Sequence, residues 1–324
     1  MIGTKGVLTK HQDYIISDPI LSQRRSNTVD ISKPPRVSFC IPTLNNENIL
    51  EKCLKSIAGQ KYPDKEIIVI DGYSKDGTLK IAEKYADKVV FDKGTYGSAC
   101  QTGIDNATGQ IIGLFDSDTE MPHDRWLINA IEYFNYGEKV STVWPLQAPS
   151  PQSTVTTRFY LEHWNMILAD RISRNRGLFG GGNGLFLTMA LNEIGGIDRK
   201  IHWGADFDWA QKLKDSCYQV VLIKDPIYHH TMTSFKQFAR KQFVGADTFM
   251  ETGFEMMGLS DWDIFREQFV IGTIGMVRGL LQERDSSWLL FFPFLGTKMM
   301  AYSYVLAVKS TKNRSKEGKT IRSM

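Results

Sequence analysis

The sequence predicts an α/β fold in which a mostly parallel sheet carries helices on both faces, with a helical C-terminal extension after it. Short apolar runs alternate with helical patterns between residues 37 and 120, at spacings of about 25 to 35 residues, which is typical of parallel strands joined by helices. Carboxylates stand directly after these runs at Asp71, Asp116 and Asp118. Ligands of open α/β sheets bind just beyond the carboxyl ends of the strands, so one rim is expected to hold the functional groups.

Composition sets broad limits on the class of protein. The 324 residues are 42% hydrophobic and 23% charged, with a net charge of +3, which is ordinary for a globular chain. Residues 1–36 carry six Lys/Arg against three Asp (+3), and residues 309–324 carry six against one Glu (+5), which leaves about −5 for the body. A negative body disfavours nucleic acid as a partner.

The four cysteines are far apart and form no Cys-x-x-Cys pair. Disulfides and a zinc site are therefore not expected, and a reducing cytosol fits. The N-terminus shows no apolar stretch before a small-residue cleavage site, so no signal peptide is expected.

The first half of the chain reads as alternating strands and helices. Its predicted elements are strands at Val37–Ile41, Glu66–Ile70 and Val89–Phe91, and helices at about 48–60, after the turn 72–78, and at Tyr96–Asn106. No Gly-x-Gly-x-x-Gly follows the first strand, which disfavours a dinucleotide-binding Rossmann domain.

The stretch Gly109–Asp118 is the centre of the prediction. A buried apolar strand ends in two carboxylates one residue apart, Asp116 and Asp118. Two hard oxygen donors without Cys or His beside them suit Mg²⁺ or Mn²⁺ carrying a diphosphate. A lone Asp-x-Asp is more often an Asp-rich turn that caps the next helix, so the rest of the chain has to support the metal interpretation.

Several ordered motifs carry a family resemblance. They are Ile41–Glu47, Ile68–Thr78 and Phe115–Asp118, with Asp92–Tyr96 and Gly103–Gly109 between them. Together they resemble glycosyltransferase family 2, whose members are inverting enzymes that use nucleotide-sugars on the A-type fold. Two departures are Gly72, where a second Asp is usual, and Cys100-Gln101, where an Arg-Asn pair is common; both leave the nucleotide preference open.

The resemblance implies roles for residues of the first half. Asp71 would accept a hydrogen bond from the base, and Pro42, Thr43 and Glu47 would wall the base and ribose. Asp118, supported by Asp116, would hold Mn²⁺ or Mg²⁺ against the departing diphosphate. For Asp76, turn chemistry is the preferred interpretation.

The second half supplies the acceptor side in the same comparison. The glycine-rich loop 178–184 would border the sugar and acceptor through Gly182 and Asn183. The segment 202–209 contributes Trp203, Asp206 and Asp208, of which Asp206 is the candidate general base for the acceptor hydroxyl. Asp206 could instead cap the helix that it opens, and Trp203 could be a buried core residue rather than a sugar platform.

Two further features follow downstream. In Tyr228-His229-His230 the resemblance suggests a histidine near the metal or diphosphate, and His230 is the one selected. Gln237-Phe238-Ala239-Arg240 resembles the Gln-x-x-Arg-Trp of processive members, but Lys241 replaces the Trp, which favours a non-processive transferase.

The C-terminal region is apolar and then basic. Trp288–Val308 has one charge, Lys298, and is followed by the +5 tail. Docking on an anionic leaflet, a packed soluble helix and a true span all remain open. The predicted organisation is a polar extension (1–35), a transferase domain (36–255, with a nucleotide-binding half 36–120 and an acceptor half 121–255), an apolar helical segment (256–308) and a basic tail (309–324).

The sequence thus predicts a metal-dependent inverting glycosyltransferase that uses a nucleotide-sugar donor. The acceptor hydroxyl is expected on a lipid-linked or cell-envelope glycan precursor, at the cytoplasmic, inner face of the membrane. A nucleotidylyltransferase and a catalytically silent nucleotide-sugar-binding module are the alternatives. The oligomeric state is left open.

Overall fold

The structure is a computed structural model that describes residues 34–135, 139–174, 182–201, 204–248 and 258–321. The predicted polar extension therefore lies almost entirely outside the described residues. By its internal contacts the chain divides into a first unit, Met1–Ser153 with Leu168–Thr231, and a second unit, Thr154–Ile167 with Met232–Met324. The sequence analysis placed a domain boundary at residue 255, and the longer segment of the second unit begins at Met232.

The first unit contains an eight-stranded sheet among the residues described. Its strands are β1 (Val37–Thr43), β2 (Lys65–Asp71), β3 (Lys88–Phe91), β4 (Ile111–Leu114), β5 (Thr119–Glu120), β6 (Val140–Ala148), β7 (Gly184–Leu187) and β8 (Gln219–His229). They lie in the order β3-β2-β1-β4-β7-β6-β8-β5.

The sheet is parallel in its N-terminal half and mixed beyond it. β3, β2, β1 and β4 pair in parallel, as the strand–helix alternation predicted. β7 runs antiparallel to both β4 and β6, and β5 runs antiparallel to β8. The mixed α/β fold predicted from the sequence is confirmed.

Helices join the parallel strands. Those of the first unit are α1 (Leu50–Ala58), α2 (Thr78–Tyr85), α3 (Tyr96–Asn106), α4 (Trp126–Ile131), α6 (Thr188–Glu193) and α7 (Ala205–Asp215), while α5 (Val155–Ser173) is shared between the units. α1 buries Leu50, Cys53, Leu54 and Ile57 on one face, the stripe expected from its 3.6-residue period.

Close packing holds α3 against the strands that end at the site. A Cβ on Gly103 would stand 2.7 Å from Cys40 Cβ and 2.9 Å from Ile70 Cδ1, so glycine is what allows this helix to approach β1 and β2 so closely. The register then sets Thr43 beside Asp71 and Asp71 beside Phe91. The carboxyl ends of three strands are thereby brought to one rim.

The second unit is helical among its described residues. It comprises the start of α5, then α8 (Phe235–Thr248), α9 (Asp261–Phe265), a π-helical turn (Arg266–Ile271), α10 (Gly272–Leu281), a 3₁₀ turn (Ser286–Leu290) and α11 (Phe291–Ile321). An aromatic core forms within it around Phe159, Phe238, Trp288, Phe291 and Phe294.

Pro293 lies near the start of the apolar C-terminal helix. α11 begins at Phe291, so Pro293 falls in the first turn, where its missing N–H has no partner to lose. By length and composition, Ser286–Ala307 is the one described segment apolar enough to cross a membrane, which is weak evidence for a span.

Candidate active site

The rim at the ends of β1 and β2 holds a buried polar pair. Asp71 is 1% exposed and Thr43 is 6% exposed. Asp71 Oδ1 accepts the Ser74 N–H at 2.8 Å, while Asp71 Oδ2 and Thr43 Oγ1 have no hydrogen-bond partner among the described residues. A buried carboxylate oxygen without a donor is costly, so this pair is suited to a ligand that brings an N–H or O–H group.

An aromatic edge borders this pair and was missed by sequence reasoning. The rings of Tyr73 and Phe91 lie 5.2 Å apart, Lys93 Nζ stands 4.6 Å from the Tyr73 ring centre, and both rings are more than two-fifths exposed. Tyr73 also has φ of +65°, which is unusual for a residue with a Cβ. Exposed aromatic residues beside a buried carboxylate could have been noticed, but their approach depends on the β2–β3 pairing.

Two loop carboxylates have clear structural partners. The Gly77 N–H donates to Glu47 Oε2 at 2.6 Å, and Asp76 accepts both the N–H and the hydroxyl of Thr78. Glu47 therefore ties the loop after β1 to the start of α2. The preferred interpretation of Asp76 as a turn residue is confirmed.

Asp116 is held on three sides. Tyr96 Oη donates to Asp116 Oδ1 at 3.0 Å and Asn183 Nδ2 donates to Oδ2 at 2.7 Å. Asn183 Oδ1 in turn accepts the Asp116 backbone N–H at 2.8 Å. Asn183 has φ of +61° and is 3% exposed. The loop that the sequence analysis assigned to the sugar side thus reaches the carboxylate pair directly.

Asp118 stands beside a histidine. His229 Nε2 lies 3.1 Å from Asp118 Oδ1, and His229 Nδ1 lies 2.5 Å from Gln147 Oε1. In the tautomer whose Nδ1–H donates to Gln147 Oε1, the Nε2 lone pair of His229 points at the Asp118 carboxylate, an arrangement that a cation between the two would stabilise. Ligand atoms of Asp116, Asp118 and His229 all lie within 4.8 Å of one another. This oxygen-rich set with one imidazole fits a divalent metal.

The histidine selected from the sequence was His230, but the ring nitrogen beside Asp118 in the structure belongs to His229. His230 Nε2 contacts Glu120 Oε2 at 2.8 Å, whereas its neighbour His229 reaches Asp118. Successive residues of an extended chain point to opposite sides, so only one of the pair can face the carboxylates. The pairing of β5 with β8, in which Thr119 lies opposite His229, makes that choice.

Asp206 lies in the first turn of α7, which begins after Gly204 at φ +79°. Burial, followed by the negative charge of Asp116, raises the pKa of the Asp206 carboxyl to about 6, although backbone N–H groups of Asp206 and Phe207 oppose the shift. A Cβ on Gly182 would lie 3.9 Å from Asp206 Cβ and 3.5 Å from Tyr96 Oη. Asp206 and Gly182 are therefore close to the group that holds Asp116.

The remaining acceptor-side predictions fare differently. Asp208 forms an ion pair with Lys212, one turn along α7, at 2.6 Å. Gly182 accepts the Trp144 Nε1–H through its carbonyl at 3.0 Å. Trp203 and residues 178–181 of the glycine-rich loop lie outside the described residues.

These features define a class of protein: a mixed α/β sheet that carries a candidate metal site of two carboxylates and a histidine. Comparison with known proteins makes the class specific. The profile of Glycosyl transferase family 2 matches residues 38–195. Residues 38–195 therefore form a glycosyltransferase family 2 domain, and the chain is a glycosyltransferase, which disfavours the nucleotidylyltransferase alternative.

Similar proteins agree with this assignment. The chain is 27% identical over 219 residues to the glycosyltransferase AglE of Haloferax volcanii, across 64% of this chain and 71% of that protein. It is also 33% identical over 96 residues to a GalNAc(5)-diNAcBac-PP-undecaprenol β-1,3-glucosyltransferase of Campylobacter jejuni. This match covers only 27% of this chain and 31% of that enzyme.

Among solved structures, a mannosyltransferase from Pyrobaculum calidifontis, in complex with GDP-Man and Mn²⁺, matches with a TM-score of 0.61 at 16% identity. The match covers 93% of this chain and 99% of the other. At 16% identity this similarity is evidence for the fold alone, which is the A-type fold of glycosyltransferases.

Proposed function

We propose that this chain transfers one sugar from a nucleotide-diphosphate-sugar to an acceptor hydroxyl, with inversion and with a divalent metal. The observation that carries the proposal is the convergence of Asp116, Asp118 and His229 beside the half-buried carboxylate Asp206. A metal at one end of the donor and a base for the acceptor are what a single inverting displacement needs.

The donor end of the site is built from the strand ends. Asp71 Oδ2 accepts a hydrogen bond from a ring N–H of the base, and Thr43 Oγ1 serves the same ligand. Asp116, Asp118 and His229 hold Mn²⁺ or Mg²⁺, and Gln147 and Asn183 orient two of these ligands. The bound metal supplies charge neutralisation for the departing diphosphate.

Asp206 acts at the acceptor end. Its carboxylate takes the proton of the acceptor hydroxyl as that oxygen bonds to the anomeric carbon, while the bond from this carbon to the diphosphate oxygen breaks. A pKa of about 6 leaves the carboxylate mostly ionised at neutral pH and basic enough to accept the proton. Gly182, with no side chain, leaves space next to Asp206.

We propose a lipid-linked or cell-envelope glycan as the acceptor. The Campylobacter relative is named for an undecaprenol-linked glycan, and the C-terminal segment of this chain is apolar and then basic. The proposed place of reaction is the inner face of the cytoplasmic membrane, with the protein bound peripherally.

A donor panel tests the transfer proposal. UDP-, GDP- and dTDP-sugars are screened by thermal shift with and without Mn²⁺, and a ligand at 100 times its Kd adds about 2.7 kcal/mol of stability. One nucleotide is expected to give a metal-dependent shift that Asp118→Asn abolishes. Asp124→Asn, an exposed carboxylate paired with Lys61, is the matched control and should keep the shift. Metal-independent binding and transfer in the wild-type protein would contradict the metal role.

A further inference from the structure

The helical segment Asp261–Leu281 of the second unit has its polar and apolar faces reversed. Its buried positions include two acids and three glycines, and its exposed positions carry large apolar side chains. The buried residues are Asp263, Glu267, Ile271, Gly272, Gly275 and Gly279, and the exposed large apolar residues are Trp262, Phe265, Phe269, Ile274, Val277 and Leu281. A helix facing water shows the opposite arrangement.

The inward face is already satisfied within the unit. Asp263 closes a capping box with Ser260, and Gly275 and Gly279 seat the ring of Trp288, where any Cβ would collide with it. Small inward residues let this segment pack closely on the aromatic core. The large apolar side chains on the other side are consequently not needed for that packing.

The exposed side begins with an aromatic ladder. Trp262 stacks on Phe265 with ring centres 5.5 Å apart, and Phe265 on Phe269 at 5.0 Å. The three side chains are 62%, 46% and 37% exposed. Aromatic side chains, Trp above all, are favoured where an apolar phase meets water.

α11 also exposes large apolar side chains, although its buried face is apolar too. It buries Phe291, Phe294, Ala301 and Val305, and it exposes another set of large side chains: Phe292, Met299, Met300, Tyr304 and Leu306. Only 28% of the most apolar stretch within Ser286–Ala307 is buried. Of the 21 large apolar side chains exposed among the described residues, 16 belong to the second unit and 5 to the first.

The positive charge of the C-terminal tail indicates what this apolar surface binds. The apolar part of α11 continues into residues 309–324, which carry +5. A second copy of the chain would bring two such tails together next to the shared apolar surface, which like-charge repulsion disfavours. Anionic lipid headgroups complement the tail, and clustered Lys/Arg next to apolar helices favour such lipids.

We infer that the exposed face of Asp261–Leu281, together with that of α11, inserts into the headgroup–acyl boundary of an anionic bilayer while the basic tail binds the headgroups. This inference rests on the membrane location proposed above and adds a second lipid-contacting helix to it. It does not depend on the transfer chemistry.

The test uses the full chain and vesicles of phosphatidylcholine with and without about 30% phosphatidylglycerol. Wild-type protein should co-sediment with the anionic vesicles. The triple variant Phe265→Glu, Val277→Glu, Leu281→Glu should partition at least about tenfold less, because three apolar side chains no longer enter the lipid. The matched control replaces two exposed apolar residues of the first unit, Met189→Glu and Val220→Glu, and should partition like wild type.

Two further measurements locate the contact. Brominated lipids should quench a component of the Trp emission that Trp262→Phe removes. Neutralising Lys309, Lys312, Arg314 and Lys316 to Gln should bring binding to anionic vesicles down towards the level on neutral ones.

Three results would overturn the inference: no wild-type binding to vesicles, equal binding by the triple variant, or a lipid-free dimer that the triple variant dissociates. The donor thermal shift of each variant without lipid separates the two proposals. If wild-type protein fails to bind vesicles but keeps its thermal shift with the donor, only the membrane inference is wrong. If it binds vesicles but shows no thermal shift with any donor, only the proposed transfer function is wrong.

Discussion

Asn183 grips Asp116 at two points: its amide nitrogen donates to the carboxylate at 2.7 Å and its amide oxygen accepts the Asp116 backbone N–H at 2.8 Å. The two residues are 67 positions apart in the chain. One small side chain thus orients a metal-type carboxylate and its backbone together, which is the work of a positioning residue rather than of a ligand.

Removing the two hydrogen bonds between Asn183 and Asp116 should weaken metal binding. Asn183→Gly keeps the φ of +61° accessible while deleting the amide, and we expect about 10- to 100-fold lower Mn²⁺ affinity, measured by titration calorimetry. Asn183→Ala adds backbone strain at this φ and should also lower the melting temperature. Unchanged Mn²⁺ affinity in Asn183→Gly would show that Asp116 does not need this partner.

His229 and His230 form a natural matched pair. His229→Ala should lower Mn²⁺ affinity because it removes the nitrogen beside Asp118. His230→Ala should leave that affinity unchanged because its ring contacts Glu120. Calorimetric titration of both variants decides the matter, and equal effects from the two substitutions would contradict the assignment of His229.

Asp206 should set the acid limb of the pH profile. Its pKa is raised to about 6, so kcat/KM should fall about tenfold per pH unit below pH 6 as the base becomes protonated. The activity of wild-type protein from pH 4.5 to 8 measures this limb. A rate that stays flat down to pH 5 would exclude Asp206 as the base.

The raised pKa of Asp206 also predicts that ionisation of this carboxyl destabilises the fold, whereas ionisation of an ion-paired Asp stabilises it. Because the folded-state pKa lies above the value of 3.8 in the unfolded chain, the ionised carboxyl costs stability above pH 6, and this cost disappears as the pH falls towards 4. Asp206→Asn should therefore be more stable than wild type at pH 8, by up to about 3 kcal/mol, while losing activity. Asp215→Asn, at the exposed end of the same helix, is the control in urea unfolding.

Asp71 should govern binding of the base and not of the diphosphate. Asp71→Asn replaces one acceptor oxygen with an amide and should weaken nucleotide-sugar binding about 10-fold or more, the scale of a hydrogen bond to a charged group. Pyrophosphate with Mn²⁺, which lacks the base, should bind the variant as it binds wild type. Equal loss for both ligands would point to a general structural defect.

Local signals carried most of the fold. Apolar runs located β1 and β2 to within two residues and placed β4 within Gly109–Asp118, because buried strands need an apolar character that their own sequence shows. The helix Tyr96–Asn106 was predicted with the bounds that the structure has. The second half was predicted less well, since β7 joins the sheet against the direction of its neighbours, and no local pattern encodes the direction in which a strand pairs.

The amino-acid sequence alone was enough for the α/β class and for selecting Asp116, Asp118, Asp71 and Asp206 as candidate site residues, because residue type and position along the chain carry those features. Tertiary packing decided three other features. They are the position of His229 rather than His230 beside Asp118, the two hydrogen bonds between Asn183 and Asp116, and the exposed apolar face of Asp261–Leu281. Each depends on which side of a strand, loop or helix meets residues far away in the chain, and that is settled by pairing register and packing, not by the order of neighbouring residues.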